Sequence, residues 1–187
     1  NNKFLIMSFI DNNNYLPNKT NSDLLDAIIS LHSKKNDNFG FNFDTQIGGL
    51  KQINTLNNNW VEFYRNQRLG YIYELICSSK PMSKPINKKI EEVLKKLENY
   101  IPNNPKPCLL HGDLWQGNIL FFSKKFAGFI DPGSFYGHNE LEVAYLTWFN
   151  PVFIKKNFLK EYSGINKIEK DYYDYEPIYQ LYYSLLN

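Results

Sequence analysis

The chain has 187 residues, 43% of them hydrophobic and 17% aromatic, which suits one globular domain with a real core and excludes a disordered segment. Its formal net charge of +2 and scattered lysine pairs (Lys34-Lys35, Lys88-Lys89, Lys155-Lys156) describe a solvated surface and argue against a nucleic-acid-binding stripe. The two cysteines, Cys77 and Cys108, have no metal-type spacing and point to a reducing, cytoplasmic compartment, and no apolar run approaches the roughly 18 residues a membrane span needs.

Lys3 to Ile10 (KFLIMSFI) is an apolar run closed by Asp11-Asn12-Asn13-Asn14, and its length favours a buried strand over a helix. Thr20-Asn21-Ser22-Asp23 offers an N-cap, with a carboxylate three residues after Thr20. Leu24, Leu25, Ile28, Ile29 and Leu31 follow at helical spacing to about His32, which is expected as a cap or surface residue. Residues 33–56 form a long polar loop in which Gly48-Gly49 reads as a turn, because neither a GxGxxG pattern nor a P-loop is present. Loops of such length often carry function. Asn57-Asn58-Asn59 cap a second helix rich in aromatics, from Trp60 to Ile76. Pro81 and Pro85 break the chain before a third helix, near Asn87 to Tyr100, whose apolar stripe is Ile90, Val93, Leu94 and Leu97. Pro102, Pro105 and Pro107 stop it.

The densest stretch is Cys108 to Gly133, CLLHGDLWQGNILFFSKKFAGFIDPG. Two apolar runs, Asn118 to Phe122 and Phe126 to Ile130, flank Ser123-Lys124-Lys125 and predict an antiparallel hairpin. In a symmetric hairpin Asn118 and Asp131 lie opposite one another, with Cβ atoms about 5 Å apart. An amide oxygen and a carboxylate there suit one hard cation, and Asp113, on the loop entering the first strand, can reach the same place. A three-residue turn would shift this register by one. A loop aspartate, an asparagine five residues later and a second aspartate after a strand pair form the pattern that phosphoryl transfer uses.

After Asp131, His138-Asn139 begins a helix whose core face includes Leu141, Val143, Leu146 and Trp148. Pro151 precedes another helix ending near Tyr162 and Gly164, and DYYDYEPIYQLYYSLL (Asp171 to Leu186) is a last helical stretch dense in tyrosine.

The His-Gly-Asp opening resembles aminoglycoside phosphotransferase-like small-molecule kinases. HGDLWQGN (His111 to Asn118), FGFNFDTQIGG (Phe39 to Gly49), WVEFYRNQRL (Trp60 to Leu69) and IDPGSFYGHNELEVA (Ile130 to Ala144) resemble the fructosamine kinase, or ketosamine-3-kinase, family, as does the terminal YQLYYSLLN. The resemblance implies an α+β, mainly helical fold, the C-terminal lobe of a protein kinase-like architecture with a short catalytic β-hairpin. Residues 1–10 would be the hinge strand from a missing N-lobe, although as a run of residues they read equally well as an ordinary core strand. Residues 11–187 would be the helical lobe.

It further implies ATP and magnesium as cofactors. Asp113 would orient and deprotonate the acceptor hydroxyl, Asn118 and Asp131 would hold the metal, and Met7, Ser8, Phe9 and Ile10 would contact adenine. The acceptor would be a small-molecule ketosamine or a glycated protein amine, phosphorylated at its 3-hydroxyl in a deglycation repair reaction, with no nucleic acid or membrane as partner. Trp115 would offer a face to the sugar, or else be a core tryptophan. His138 and Tyr136 would shape the site, His111 would hold the loop, and Glu142 would brace it where related kinases carry an aspartate. The family's small lobe, with its phosphate-gripping lysine, is absent, so this polypeptide alone is expected to bind ATP poorly. A choline- or aminoglycoside-type kinase and a non-catalytic binding module are the other readings.

Overall fold

The computed structural model describes residues 7–13, 15–18, 21–154 and 157–187. Helix α1 (Ser22–His32) is capped by Asn21, whose side chain accepts from the Leu24 backbone N–H at 2.9 Å, one residue later than the Thr20 cap read from the sequence; Thr20 lies outside the described residues. Its apolar spacing buries Leu24, Leu25 and Ile28. His32 does not reach the surface: it continues the same buried face and meets α5, described below.

The stretch read as a polar loop is more structured than its composition suggests. Strands β1 (Thr45–Ile47) and β2 (Leu50–Gln52) form a hairpin around Gly48-Gly49, and Lys35, Phe39 and Gly40 bridge to Cys108, Asn57 and Tyr136. The second helical region opens on Asn59, which caps α2 (Trp60–Tyr64), passes through a π-turn over Arg65–Leu69, and continues as α3 (Gly70–Ser79). Helix α4 (Lys84–Lys95) starts before the expected Asn87 and includes Pro85 in its first turn, where proline's missing N–H costs nothing.

Strand β3 (Cys108–Leu110) pairs antiparallel with β6 (Phe135–Gly137), and β4 (Ile119–Phe122) with β5 (Lys125–Phe129). Helix α5 (Asn139–Phe149) follows, then α6 (Phe158–Ser163) and the long α7 (Tyr172–Leu186). Helix α6 is shorter than the sequence reading, with residues 155 and 156 outside the described set. Helices α5 and α7 pack against each other, so their tyrosines and leucines join Trp60, Phe63 and Tyr64 in one core. Trp148, expected in that core, instead is partly exposed near the end of α5. Among the described residues no helix is long and apolar enough to cross a membrane.

Two sequence expectations fail for reasons of pairing. Residues 7–10 form no strand, and Met7 and Phe9 are exposed, Phe9 at 84%; residues 3–6 of that run lie outside the described set. No described strand pairs with residues 7–10, and an unpaired apolar strand has no ladder to join. The β4–β5 hairpin turns through only two residues, Ser123 (φ +48°) and Lys124 (φ +67°), both left-handed as a type I′ turn requires. A bulge between Leu120 and Phe121 adds a further shift, so Asn118 accepts from the Ile130 N–H at 3.1 Å and does not face Asp131.

Arg68 shows how the β1–β2 region is held. It is buried in the π-turn, with its guanidinium 3.8 Å from the Phe135 ring centroid, and donates to Ile53 O, Gln67 O and Asn54 Oδ1. Burial pushes its pKa down to about 10, which leaves it charged at neutral pH. Arg68→Ala strands its three acceptors, the buried Asn54 Oδ1 among them, and leaves a void between aromatic rings. The expected loss is about 3 kcal/mol or more, read as a lower urea midpoint, and Arg68→Lys recovers little because an ammonium lacks the planar fork.

Candidate active site

Strand β3 delivers the chain to His111-Gly112-Asp113. Gly112 adopts φ +87°, and a Cβ there would fall 2.2 Å from the Gly133 carbonyl oxygen, so only glycine lets the two turns meet. Glu142, on the first turn of α5 and fully buried, accepts from the His111 N–H (3.1 Å), the Gly112 N–H (2.7 Å) and His32 Nε2 (2.9 Å). A carboxylate only accepts, so His32 carries a hydrogen on Nε2, and its Nδ1 pairs with the Tyr162 hydroxyl at 2.7 Å. Burial alone would push the Glu142 carboxyl upward, but His32, His111 and the Gly112 N–H together hold it below the ordinary value. The extra methylene of glutamate does not prevent the brace.

His111 acts on the loop itself. Its Nε2 donates to Ile130 O at 3.0 Å, its Nδ1 accepts from the Asp113 N–H at 3.3 Å, and its ring meets Phe129 edge-on. Asp113 is half-buried, with Oδ2 accepting from Asn118 Nδ2 at 3.1 Å and Oδ1 from the Tyr145 hydroxyl at 3.5 Å. Burial raises its pKa, opposed by His111 and by these two hydrogen bonds. Asn118 ends a 3-10 turn (Gln116–Asn118) and also donates to Asp113 O at 2.8 Å, which leaves its Oδ1 for another partner. Asp131 is exposed, at φ +49°, just beyond the paired part of the hairpin.

Despite the altered register, Asp113, Asn118 and Asp131 line one cleft of about 530 Å³, together with Met7, Gln46 and Trp115. A second cleft, of about 340 Å³, shares Asp113 and Trp115 and is walled by Tyr145, Phe149, Tyr183 and the Gly48-Gly49 turn. Trp115 is 40% exposed and meets Phe149 edge-on at 5.9 Å, so it is a cleft wall and not a core residue.

Among the described residues no group of three His, Cys, Asp or Glu side chains converges to hold a metal. The protein oxygens available are one amide and one or two carboxylates. That set fits magnesium, which keeps waters and substrate phosphates in its shell and takes few protein ligands.

Two expectations concerning the site, for His138 and Tyr136, are corrected. His138 is not at a cleft: it is buried, accepts the Tyr179 hydroxyl on Nδ1 at 2.9 Å, and is pushed down to about 3 by burial. The turn from β6 into α5 directs its ring against Trp60 and Tyr179 in the core. Tyr136 is a strand residue packed on Phe41. Ser8 and Phe9 are exposed, while Ile10 covers Gly128. Tyr145, Phe149 and Tyr183 escaped the sequence reading, because aromatics at helical spacing read as core. Gln52 escaped it too: its buried amide donates to Gly133 O at 3.0 Å and accepts the Tyr182 hydroxyl at 3.2 Å, clamping the turn after Asp131.

The fold is shared with aminoglycoside phosphotransferases. The structure of the gentamicin complex of APH(2")-IIa superposes with a TM-score of 0.52 at 19% identity, covering 87% of this chain and 52% of that one. The chain itself belongs to the fructosamine kinase family, whose sequence profile matches residues 1–187. It is 34% identical over 187 residues to a protein of Enterococcus faecium assigned as a ketoamine kinase, covering 97% of this chain and 64% of that protein. A Thermobifida fusca structure assigned as a fructosamine-3-kinase superposes with a TM-score of 0.83 at 25% identity, over 96% of this chain and 62% of that one. The chain thus spans less than two thirds of either relative.

Glu142 makes the loop testable apart from any activity. Because its pKa is lower folded than unfolded, its ionisation stabilises the protein fully above the ordinary glutamate value of 4.5 and is lost as pH falls through the lower folded value. Glu142→Gln turns an NH₂ toward an N–H donor and is expected to cost about 3–5 kcal/mol. Melting curves should show a lower Tm at pH 7 and a flatter dependence on pH below 4.5.

Proposed function

We propose that the protein transfers the γ-phosphoryl group of ATP to a sugar hydroxyl of a ketosamine. The observation that carries this is the position of Asp113 where two clefts meet, a polar one with Asn118 and Asp131 and an aromatic one with Trp115. Family membership narrows the chemistry, and the fructosamine-3-kinase assignment of the Thermobifida relative supports the 3-hydroxyl as the accepting group.

In this reading the ketosamine lies in the aromatic cleft with its ring on Trp115. Asp113 aligns the reacting hydroxyl and takes its proton late, since phosphoryl transfer has a loose transition state and gains mainly from positioning. The partial burial of Asp113 raises its pKa and makes it a somewhat stronger proton acceptor. Asn118 Oδ1 and Asp131 would hold magnesium, which when bound neutralises charge on the nucleotide phosphates. Met7 to Ile10 would run beside adenine as the hinge, with residues 11–187 as the helical lobe. The additional length of the relatives would supply the phosphate-gripping lobe. The free thiols of Cys77 and Cys108 are consistent with a reducing, cytoplasmic setting. The acceptor amine is either a free metabolite or a protein side chain, and the 3-phosphorylated product would then decompose and release it.

Radiolabelled ATP and a panel of acceptors, from fructosyl-amines to choline and aminoglycosides, test the substrate class in the intact polypeptide. Asp113→Ala is expected to lower kcat by about 100-fold or more with the fold retained. Trp115→Ala should raise the acceptor KM about tenfold and leave the KM for ATP alone. Residues 1–187 by themselves should show weak magnesium-dependent nucleotide binding by calorimetry; turnover at rates typical of kinases (about 1–100 s⁻¹) would refute the two-lobe assignment.

A further inference from the structure

Each oxygen of the Asp113 carboxylate has one side-chain partner, and the two come from different parts of the chain. Asn118 holds Oδ2 from within the loop. Tyr145 reaches Oδ1 from helix α5, three residues after Glu142 and so on the same helical face. One turn of α5 therefore holds both the backbone of the loop, through Glu142, and its functional carboxylate, through Tyr145.

The Tyr145 ring has little freedom. It is only 5% exposed and lies flat on Tyr183 of α7, with centroids 3.8 Å apart and planes 5° apart, while Phe149 meets it edge-on at 6.2 Å. Packing of this kind asks for an aromatic ring but not for a hydroxyl. Burial and the nearby Asp113 charge raise the phenol pKa, so the group keeps its proton and can only donate to the carboxylate. The 3.5 Å separation is long for such a bond, as hydrogen bonds in unliganded catalytic sites commonly are before substrate closes them.

We infer that Tyr145 is a positioning residue for Asp113, its hydroxyl fixing the rotation of the carboxylate so that Oδ1 stays at the mouth of the aromatic cleft. The terminal torsion of an aspartate is broad and nearly two-fold, so one anchor leaves the reactive oxygen free to wander. Asn118, the partner of Oδ2, lines the polar cleft, and Tyr145, the partner of Oδ1, lines the aromatic one, while Asp113 lines both. With both anchors in place the carboxylate is aligned before substrate arrives, and displacements of about 1 Å at such a group can cost 100-fold in rate. The inference rests on the assignment of Asp113 as the base.

The test is steady-state kinetics of the full-length enzyme with ATP and a fructosyl-amine, comparing wild type, Tyr145→Phe, Asp113→Ala and the double variant, with a melting curve for each. Tyr145→Phe keeps the stacked ring and removes only the hydroxyl. It is expected to lower kcat about tenfold with Tm and the KM for ATP unchanged, and to add nothing in the Asp113→Ala background, because the hydroxyl acts through that carboxylate. A Tyr145→Phe enzyme with kcat within about twofold of wild type, or one that melts several degrees lower or fails to fold, overturns the inference by making the hydroxyl idle or merely structural. An equal rate loss in the Asp113→Ala background overturns it as well. If Asp113→Ala itself retains wild-type turnover, the base assignment falls and Tyr145 with it; an inactive Asp113→Ala beside a wild-type-like Tyr145→Phe removes the inference alone.

Discussion

Burying a carboxylate with no solvent contact costs several kcal/mol unless its lone pairs are met. Glu142 meets that condition by gathering the N–H groups of His111 and Gly112 and the imidazole of His32, whose other nitrogen engages Tyr162. Four elements are joined at that carboxylate: α1 through His32, the loop after β3, α5 itself, and α6 through Tyr162. The loop path that brings both N–H groups to Glu142 passes left-handed Gly112 against Gly133, where a Cβ would not fit. The position of Asp113 follows from there.

The histidines make the chemistry more specific by exclusion. All three have interior structural partners: His32 serves Glu142, His111 joins the loop to Ile130, and His138 accepts from Tyr179. None is placed as a free proton acceptor at either cleft, and the titratable group at their junction is Asp113. Under the proposed phosphoryl transfer, a carboxylate there would orient the hydroxyl more than deprotonate it. Tyrosines of α7 then perform two tasks: they fill the core against Trp60, and they back the aromatic cleft through Tyr183 and the Asp131 turn through Tyr182 and Gln52.

The resemblance to fructosamine kinases rested on short strings of residues, and the family match over residues 1–187 bears it out. Helix positions followed from capping asparagines and apolar spacing, and the β4–β5 hairpin from two apolar runs around a polar break. That Asp113, Asn118 and Asp131 would lie near one another was also legible, because a loop and a hairpin return the chain to the same end. Their expected meeting by cross-strand opposition was wrong in register. A two-residue turn and a bulge cannot be told from a three-residue turn by a Ser-Lys-Lys string, since the choice depends on what the flanking strands pack against.

By itself, then, the amino-acid order determined which residue types are present at chemically suggestive intervals, where helices begin, and which family the chain joins. These depend on neighbours a few positions apart, whose influence is local. Only the tertiary structure decided that His138 is core while Trp115 is a cleft wall, that His32 is buried against a carboxylate 110 residues away, and that Tyr145 reaches Asp113. Burial and partner choice are set by which helix face meets which strand, and α5 and α7 join residues far apart in the chain into one core beside the Asp113 loop.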